Sequence, residues 1–368
     1  MGMWEHLGNA LMMGVGLVLV YLAVAKKYEP LLLLPIGFGA ILANVPYANL
    51  GDPGGMLHTL RVYGIENELL PALLFIGIGA MSDFSSLIRK PILLVFAAAG
   101  QLGIFAALNL ALSLGFTPLE ASSVGVIGAM DGPTAIFVAQ RFAPHLLGPI
   151  TVCAYSYMSL VPLLQIPLSR ILTSEKERRI VMEYAPGELP RAVRVVFPIV
   201  VFLAVALIAP QGTLLIGTLM LGNLMRESGV VKRLTDAAEN ELSNLVTLLL
   251  GLTIGGTMTA EAFLNVSTLY VFGLGLVAFV IAIASGLVFA KIASAATGGR
   301  INPLIGACGV SAFPMAARTA HLIGRQEDPE NWLLPHALAT NIGGQIASVV
   351  AGSAILTYAP RVLALLGA

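Results

Sequence analysis

The 368-residue sequence has few charged residues, only two cysteines and no common phosphate-binding motif. Lys and Arg number 20 and Asp and Glu number 20, so 11% of the chain is charged, whereas a soluble domain carries about 25%. This scarcity of charge excludes a disordered chain, a basic nucleic-acid-binding domain and an ordinary soluble enzyme. Cys153 and Cys308 lie far apart in apolar stretches, which favours packing over a disulfide or a zinc site. Without a Gly-x-x-x-x-Gly-Lys-Ser/Thr loop, ATP does not energise this chain directly.

Long apolar runs fill the sequence instead. Hydrophobic residues make up 57% of the chain, and the mean hydropathy is +0.88. Because a membrane-spanning helix needs about 20 apolar residues, the sequence predicts an all-α, polytopic protein of the cytoplasmic membrane, surrounded by lipid. The apolar runs lie at 10–25, 31–45, 69–81, 91–114, 121–141, 146–170, 193–209, 212–225, 243–258, 267–291, 301–322 and 332–358.

The positions of Lys and Arg predict the orientation, because basic loops face the cytoplasm. Basic residues follow the first, third, eighth and tenth runs and crowd the polar stretch 173–191, whereas the loop 113–120 has none. The loop is therefore predicted outside and the polar stretch inside, although two apolar runs separate them. Since two full crossings cannot connect opposite sides, one run must enter the membrane and return.

Breaks in two of the runs indicate which ones return. Gly128, Asp131 and Pro133 interrupt run 121–141, and Pro303, Gly306, Gly309 and Pro314 interrupt run 301–322. The predicted fold is therefore two inverted repeats, each with about five transmembrane helices plus one re-entrant broken segment. The predicted domains are a first repeat at 1–172, a cytoplasmic connector at 173–192 and an inverted second repeat at 193–368.

Weak internal similarity supports the predicted repeat. The Ile-Gly-Ala sequence around Gly128 recurs around Gly306, 178 residues later. The segments around Gly37 and Gly79 have similar counterparts at nearly the same offset. Inverted repeats whose broken helices meet near the middle of the membrane are typical of transporters, and the breaks mark the binding site.

Asp131 is the sharpest candidate functional residue, because its surroundings from Val124 to Ala139 are otherwise uncharged. A carboxylate at this depth costs several kcal/mol unless it is paired, protonated or bound to a cation. One interpretation is a residue that caps the helix beginning near Pro133. The other is a ligand for a small cation or proton, since oxygen ligands suit hard alkali cations.

The second broken run and its neighbours offer further polar candidates, each with an ordinary structural alternative. Asn302 is also compatible with an Asn-Pro turn, and Ser311 with packing in a bend. Arg318 is a counter-charge, an anion-binding group or a side chain that reaches the membrane interface. Asn341 lies inside the last apolar run, where its amide needs a partner, and Tyr157 is compatible with a hydrogen-bonded core residue.

Four motifs resemble those of one known family, and the resemblance covers nearly the whole chain. They are Gly-Ala-Met-Asp-Gly-Pro-Thr-Ala-Ile-Phe at Gly128–Phe137, Ala-Tyr-Ser-Tyr-Met at Ala154–Met158, Asn-Pro-Leu-Ile-Gly at Asn302–Gly306, and the segment Gly309–Arg318. The family comprises the β subunits of sodium-translocating, biotin-dependent decarboxylases, which serve oxaloacetate, glutaconyl-CoA, methylmalonyl-CoA and malonate decarboxylases.

The resemblance implies a function. A β subunit of this kind decarboxylates carboxybiotin, which a carrier delivers, and couples the reaction to sodium export with proton uptake. The implied partners are a carboxyltransferase α subunit, a biotin carrier protein and a small membrane γ or δ subunit, and a homo-oligomer is compatible with the sequence. Carried over by motif, the implied roles are sodium binding by Asp131, Asn302, Ser311 and Asn341, catalysis by Asp131, Tyr157 and Arg318, and carboxybiotin binding by Arg318.

A second function stays open, because a fold does not by itself determine a function. A secondary carrier, such as a sodium/proton antiporter or a sodium/carboxylate symporter, has the same predicted architecture. The chain has no biotin-acceptor Met-Lys-Met sequence. If biotin takes part, it must therefore arrive on another protein.

Overall fold

The chain folds into helices. The computed structural model describes residues 3–27, 30–183, 187 and 189–366, and these residues contain no strand. The α-helices are α1 Met3–Ala25, α2 Pro30–Ala43, α3 Met56–Leu60, α4 Leu69–Met81, α5 Ser85–Arg89, α6 Leu93–Gly100, α7 Leu102–Ser113, α8 Pro118–Gly125, α9 Gly132–Phe142, α10 Leu147–Ser159, α11 Val161–Leu172, α12 Glu175–Arg178, α13 Arg191–Ile208, α14 Thr213–Ser228, α15 Lys232–Ala237, α16 Ser243–Gly256, α17 Ala260–Phe263, α18 Val266–Ala296, α19 Met315–Glu327 and α20 Leu334–Leu366. Shorter π and 3-10 segments are Arg61–Glu66, Val126–Ala129, Pro144–Leu146, Pro210–Gly212, Ala238–Leu242 and Pro303–Cys308.

The helices confirm a polytopic membrane protein. In the described part of the chain, five helical stretches are long and apolar enough to cross a bilayer, and two helix pairs bent by 60° raise the number to seven. The five stretches are His6–Ala25, Leu93–Ser113, Arg191–Ile208, Val266–Ala296 and Leu334–Leu365. Helix α2 has 14 residues, fewer than the roughly 20 of a full crossing. Helix α16 continues without a gap from α15 and the π segment Ala238–Leu242, but the charged residues lie in those two parts and only the 14 residues of α16 are uncharged throughout. The count of ten crossings therefore stays a prediction.

Helices from the two halves of the chain pack against each other in pairs. Helix α2 packs along α16, and α4 packs along α14. A buried amide secures each pair: Asn44 Nδ2 donates to the carbonyl oxygen of Met258 at 2.7 Å, and Asn223 Nδ2 donates to that of Ser82 at 2.8 Å. Each half thus donates one buried amide to the other half, which agrees with a repeat. The inverted relation between the halves stays a prediction.

The two ends of the first broken run lie close together. Helix α8 starts with a capping box formed by Thr117 and Glu120. His145, three residues after the end of α9, lies 2.8 Å from Glu120 (Nε2 to Oε1). The two ends of the segment α8–α9 are thus side by side, as a re-entrant segment requires.

The second broken run also has neighbouring ends. At its start, Asn302 Nδ2 donates to the carbonyl oxygen of Arg178 at 2.8 Å. At its end, Glu327 of α19 forms an ion pair with the Arg178 side chain at 2.7 Å. The connector residue Arg178 therefore joins both ends. The side from which each segment enters the membrane remains a prediction.

The predicted connector lies against this second segment. Its short helix α12 begins with a capping box at Ser174 and Glu177. Lys291 pairs with Glu177 at 3.4 Å, and Lys90 Nζ donates to the carbonyl oxygen of Glu183 at 3.0 Å. Residues 184–186 and 188 of the predicted connector lie outside the described residues.

Candidate functional site

Asp131 lies at the break of the first broken segment. The 3-10 segment Val126–Ala129 precedes it, and Met130 turns the chain with a positive φ of 56°. Asp131 itself is extended and occupies the N-cap position of α9. The local sequence explains this path, because Gly132 and Pro133 suit the first turn of a new helix. The positive end of the α9 dipole therefore faces the Asp131 carboxylate.

Two hydroxyl groups, one from each half of the chain, bind the Asp131 carboxylate. Thr134 Oγ1 donates to Oδ2 at 2.6 Å, and Ser348 Oγ donates to the same oxygen at 2.7 Å. Asp131 is only 3% exposed. Among the described residues, no Lys, Arg or His forms an ion pair with it. The site thus stabilises a buried carboxylate with neutral donors and leaves its charge available for a cation.

The bend of the second broken segment lies directly against the first break. Ser311 N donates to the carbonyl oxygen of Ala129 at 3.2 Å, which joins the two irregular backbones. Ser311 Oγ donates to the carbonyl oxygen of Gly344 at 2.8 Å, and Gln345 Nε2 donates to the carbonyl oxygen of Ser311. Helix α20 therefore contacts both breaks, with Ser348 on Asp131 and its preceding turn on Ser311.

Three buried amides around the second bend each donate through nitrogen and keep a buried oxygen without a partner. Asn341 Nδ2 donates to the carbonyl oxygen of Val310 at 2.6 Å, and Gln101 Nε2 donates to that of Gly309 at 3.3 Å. The third amide is Gln345. Their side-chain oxygens have no hydrogen-bond partner. Neutral oxygens near a carboxylate are the ligand type that an alkali cation prefers.

The structure places the two tyrosines of the Tyr-Ser-Tyr motif on different faces of α10. Tyr157 OH donates to the carbonyl oxygen of Phe272 at 2.7 Å, and its ring packs edge-on against Phe279. Tyr155 instead lies beside the first break: a Cβ on Gly132 would lie 2.3 Å from its ring. The Tyr155 hydroxyl is buried without a hydrogen-bond partner. Tyr155, which sequence reasoning passed over, is thus the tyrosine next to Asp131.

Asn302 makes contacts of a different kind. Its Nδ2 donates to the carbonyl oxygens of Arg178 and Ile180, each at 2.8 Å, and its Oδ1 accepts from Leu304 N at 3.0 Å. These bonds hold the connector and cap the 3-10 segment Pro303–Cys308. The structure therefore brings Asp131, Ser311 and Asn341 into one contact network and does not bring the Asn302 side chain into it.

Arg318 lies on the first turns of α19, just after the second bend, and its side chain is exposed. In the part of the chain that the structure describes, this guanidinium forms no ion pair. It is therefore available to an anion that approaches the bend along α19.

Sequence reasoning missed Thr134, Ser348 and the amides of Gln101 and Gln345. A signal existed for two of them. Thr134 stands three residues after Asp131, within one helical turn. Ser348 follows Asn341 by seven residues, which places both on one face of a helix.

Comparison with known proteins settles the family. A family model described as the Na+-transporting oxaloacetate decarboxylase beta subunit matches residues 8–359. The chain belongs to this family. The match spans both breaks and the contact network around Asp131, and it confirms the resemblance carried by the motifs.

Named relatives agree with the family. The chain is 50% identical over 349 residues to the methylmalonyl-CoA decarboxylase subunit beta of Veillonella parvula, and the match covers 95% of this chain and 92% of that one. It is 51% identical over 350 residues to the glutaconyl-CoA decarboxylase subunit beta of Acidaminococcus fermentans, with the same coverages. It is 40% identical over 412 residues to the oxaloacetate decarboxylase beta chain 2 of Salmonella typhi, covering 95% of each.

These findings establish the general role. The chain is the multi-pass membrane subunit of a Na+-transporting decarboxylase, and it acts as part of a complex. The relatives differ in the acid named, so the acid that this complex decarboxylates is not fixed by membership of the family.

Proposed function

We propose that this subunit decarboxylates carboxybiotin, delivered on a biotin carrier protein at the cytoplasmic membrane, and couples the reaction to sodium export with proton uptake. The observation that carries the proposal is the buried Asp131 carboxylate, which has two hydroxyl donors and no ion pair among the described residues. A negative charge held in this way inside a membrane protein marks an ion site.

Sodium is the cargo of the proposed site. Asp131 supplies the negative charge, and the unpartnered side-chain oxygens of Asn341 and Gln345, on the adjoining helix, are neutral ligands for the ion. Ser311 belongs to the same network, and its hydroxyl oxygen is a further candidate ligand for sodium. Asn302 and Tyr157 stay predictions as ion-handling residues, since their observed contacts lie elsewhere.

Arg318 suits the carboxylate of the delivered substrate. Loss of CO2 breaks the N–C bond of carboxybiotin, and a proton then bonds to the ureido nitrogen. The exposed, cationic Arg318 would hold that carboxylate beside the second bend. Asp131, which can exchange a sodium ion for a proton, lies across the Ala129–Ser311 contact from this position.

The contacts between the two breaks provide a route for coupling. Helix α20 touches Asp131 through Ser348 and the second bend through Gln345. A shift of α20 on substrate binding would therefore alter the ligands of the sodium site. Moving one charge against 100 mV requires about 2.3 kcal/mol, a cost that we assign to the decarboxylation.

The test uses the purified complex and free or carrier-bound carboxybiotin, with CO2 release and sodium movement into inside-out vesicles as readouts. We expect Asp131→Asn to abolish both, by more than about 100-fold, because an amide cannot supply the charge. Asp52→Asn, an exposed matched control, should retain both activities.

Near-normal sodium-dependent decarboxylation by Asp131→Asn would contradict the assignment of the site. Sodium-stimulated uptake of a small carboxylic acid by this chain alone would contradict the decarboxylase mechanism and favour a secondary carrier.

A further inference from the structure

A polar cavity of about 580 Å³ lies beside the end of the first broken segment that carries His145. Gln140 of α9, Gly148 of α10 and Thr257, at the end of α16, all line it. A Cβ added to Gly148 would lie 3.2 Å from Thr257 Oγ1, so α10 and α16 approach closely at its wall. The cavity therefore lies between the first broken segment and a helix of the second half of the chain. The proposed sodium site uses none of these residues.

The distribution of basic residues predicts that this cavity opens to the outside. The rest of its wall comes mainly from the loop after α2, from α3 and the π segment that follows it, and from the turn after α16. Residues 257–265 contain no Lys or Arg, and residues 44–68 contain only Arg61. The basic pairs at 26–27 and 89–90 stand at the opposite ends of α2 and α4. Because basic loops face the cytoplasm, the cavity belongs to the predicted outer face.

The charges of the wall do not exclude a cation. Its charged or titratable residues are Asp52, His58, Arg61, Glu66 and His145. Arg61 pairs with Glu66 at 3.3 Å, and His145 Nε2 lies 2.8 Å from Glu120 Oε1. Asp52 is exposed, so solvent screens its charge. A sodium ion can therefore occupy the cavity without meeting an unpaired Lys or Arg of the described wall.

A seam between α9 and α10 leads from the cavity to Asp131. At the Asp131 end, the Tyr155 ring of α10 packs on Gly132 of α9, and the Tyr155 hydroxyl is buried without a hydrogen-bond partner. At the other end, Gly148 lines the cavity. Thr151 is buried and lies three residues after Gly148 and four before Tyr155. The three residues thus share one face of α10.

The seam is closed in this structure but carries oxygens along its α10 side. Ile136 of α9 lies four residues after Gly132 and four before Gln140, and it is fully buried. Thr151 Oγ1 donates to the carbonyl oxygen of Leu147 at 2.6 Å, which leaves its lone pairs free to accept or to bind a cation. Hydroxyl oxygens of this kind can replace part of the water shell of a hard cation.

We infer that the α9–α10 seam and the cavity form the route by which sodium leaves Asp131 for the outside. The inference rests on the proposed function, which makes Asp131 the sodium site. The ion passes the Tyr155 and Thr151 hydroxyls in turn and enters the cavity between Gln140 and Thr257. Movement of Ile136 away from α10 opens the route.

The experiment blocks the cavity from outside. Cells that contain the complex are treated with a cationic, membrane-impermeant methanethiosulfonate, and sodium uptake is compared in inside-out vesicles made from treated and untreated cells. We expect treatment to lower uptake by Gln140→Cys and by Thr257→Cys at least about tenfold, because the attached cation fills and charges the route. Ser113→Cys is the control: it is exposed on the same predicted face but does not line the cavity. It should react and keep its transport, and the wild type should be unaffected because Cys153 and Cys308 are buried.

A second measurement tests the seam itself. Thr151→Val keeps the shape of the side chain and removes the hydroxyl. We expect its sodium transport to fall about fivefold, as for the loss of one polar contact, while equilibrium binding of radioactive sodium to the purified subunit keeps its affinity. Thr151→Ser should restore transport. Equal transport in Thr151→Val and the wild type would remove the Thr151 hydroxyl from the route.

Unchanged transport after labelling of both Gln140→Cys and Thr257→Cys would overturn the inference. So would labelling of both only from the inside, or of neither. Treated Gln140→Cys should still bind sodium at equilibrium in detergent, which separates a blocked route from a misfolded protein. Absence of saturable sodium binding by the untreated wild type would contradict the proposed function instead, since access of the reagent to the cavity does not depend on turnover.

Discussion

The two broken segments meet at their bends but differ in charge. The first carries Asp131 at its break, and the charged residues near its two ends have partners: Arg141 forms an ion pair with Glu68 at 3.1 Å, and His145 Nε2 lies 2.8 Å from Glu120 Oε1. The second has an uncharged bend and an exposed face on which Arg318 and Arg325 form no ion pair within the described residues. The difference is the basis of our proposal that one segment holds a cation and the other receives an anion.

The largest expected effect concerns the sides from which the two segments enter. If they enter from opposite faces, Ser113→Cys should react with a membrane-impermeant thiol reagent only from outside, and Lys176→Cys only from inside. Both positions are exposed, and Cys153 and Cys308 are buried. Labelling of both new cysteines from one side would contradict the inverted repeat.

The next effect concerns the hydroxyl donors at the first break. Ser348→Ala removes a 2.7 Å bond to Asp131, and a bond to a charged group contributes about 1.5–3 kcal/mol. A proton then competes better for the carboxylate, so the half-saturating sodium concentration for decarboxylation should rise about tenfold. Ser123→Ala is the control, because the buried Ser123 hydroxyl donates only to the carbonyl oxygen of Leu119. An equal shift in both variants would disprove a specific role for Ser348.

A smaller effect separates the two tyrosines. Tyr157→Phe loses its bond to the carbonyl oxygen of Phe272, and its free energy of unfolding should fall by about 1 kcal/mol. Tyr155→Phe loses no hydrogen bond, so its free energy of unfolding should not change. Its apparent sodium affinity should change several-fold, because Tyr155 is the tyrosine next to Asp131. Thermal unfolding and sodium titration of each variant measure both quantities. The reverse pattern would place the functional tyrosine at Tyr157.

The smallest expected effect is on the pH dependence of the melting temperature, through Glu120 at the start of the first broken segment. The Thr117 backbone N–H bonds to Glu120 and holds the pKa of that carboxyl below its usual 4.5, helped by the Thr117 hydroxyl and His145. A lowered pKa in the folded state stabilises the protein above the unfolded pKa, and this stability is lost as the pH falls through the folded pKa. The melting temperature of the wild type should therefore fall more steeply below about pH 4.5 than that of Glu120→Gln. Parallel plots of melting temperature against pH for the two proteins would show that the Glu120 carboxylate does not contribute to the pH dependence of stability.

The sequence predicts the helices and both breaks well, because apolar runs and Gly-Pro interruptions are local signals. Run 243–258, for example, corresponds to α16 at Ser243–Gly256. Asp131 is identifiable for the same reason, as a charge without a neighbouring charge in the sequence. The sequence does not show whether a helix as short as α2 crosses the bilayer, since its 14 residues span only about 21 Å.

Side-chain partners across helices were harder to predict. Tyr155 and Tyr157 are two residues apart on one helix and so point about 200° apart, but the sequence does not show which one faces Asp131. Asn302 illustrates the same limit, because its partners at Arg178 and Ile180 lie more than 100 residues away. Thr134 and Ser348 meet at one oxygen only because α9 and α20 pack together.

Equilibrium binding of radioactive sodium to the purified subunit, without carboxybiotin, tests most directly whether Asp131 holds the cargo ion. The wild type should bind sodium saturably. Asp131→Asn should lose this binding while keeping a melting temperature close to that of the wild type, and Asp52→Asn should bind normally. Saturable sodium binding of unchanged affinity in Asp131→Asn would contradict the account.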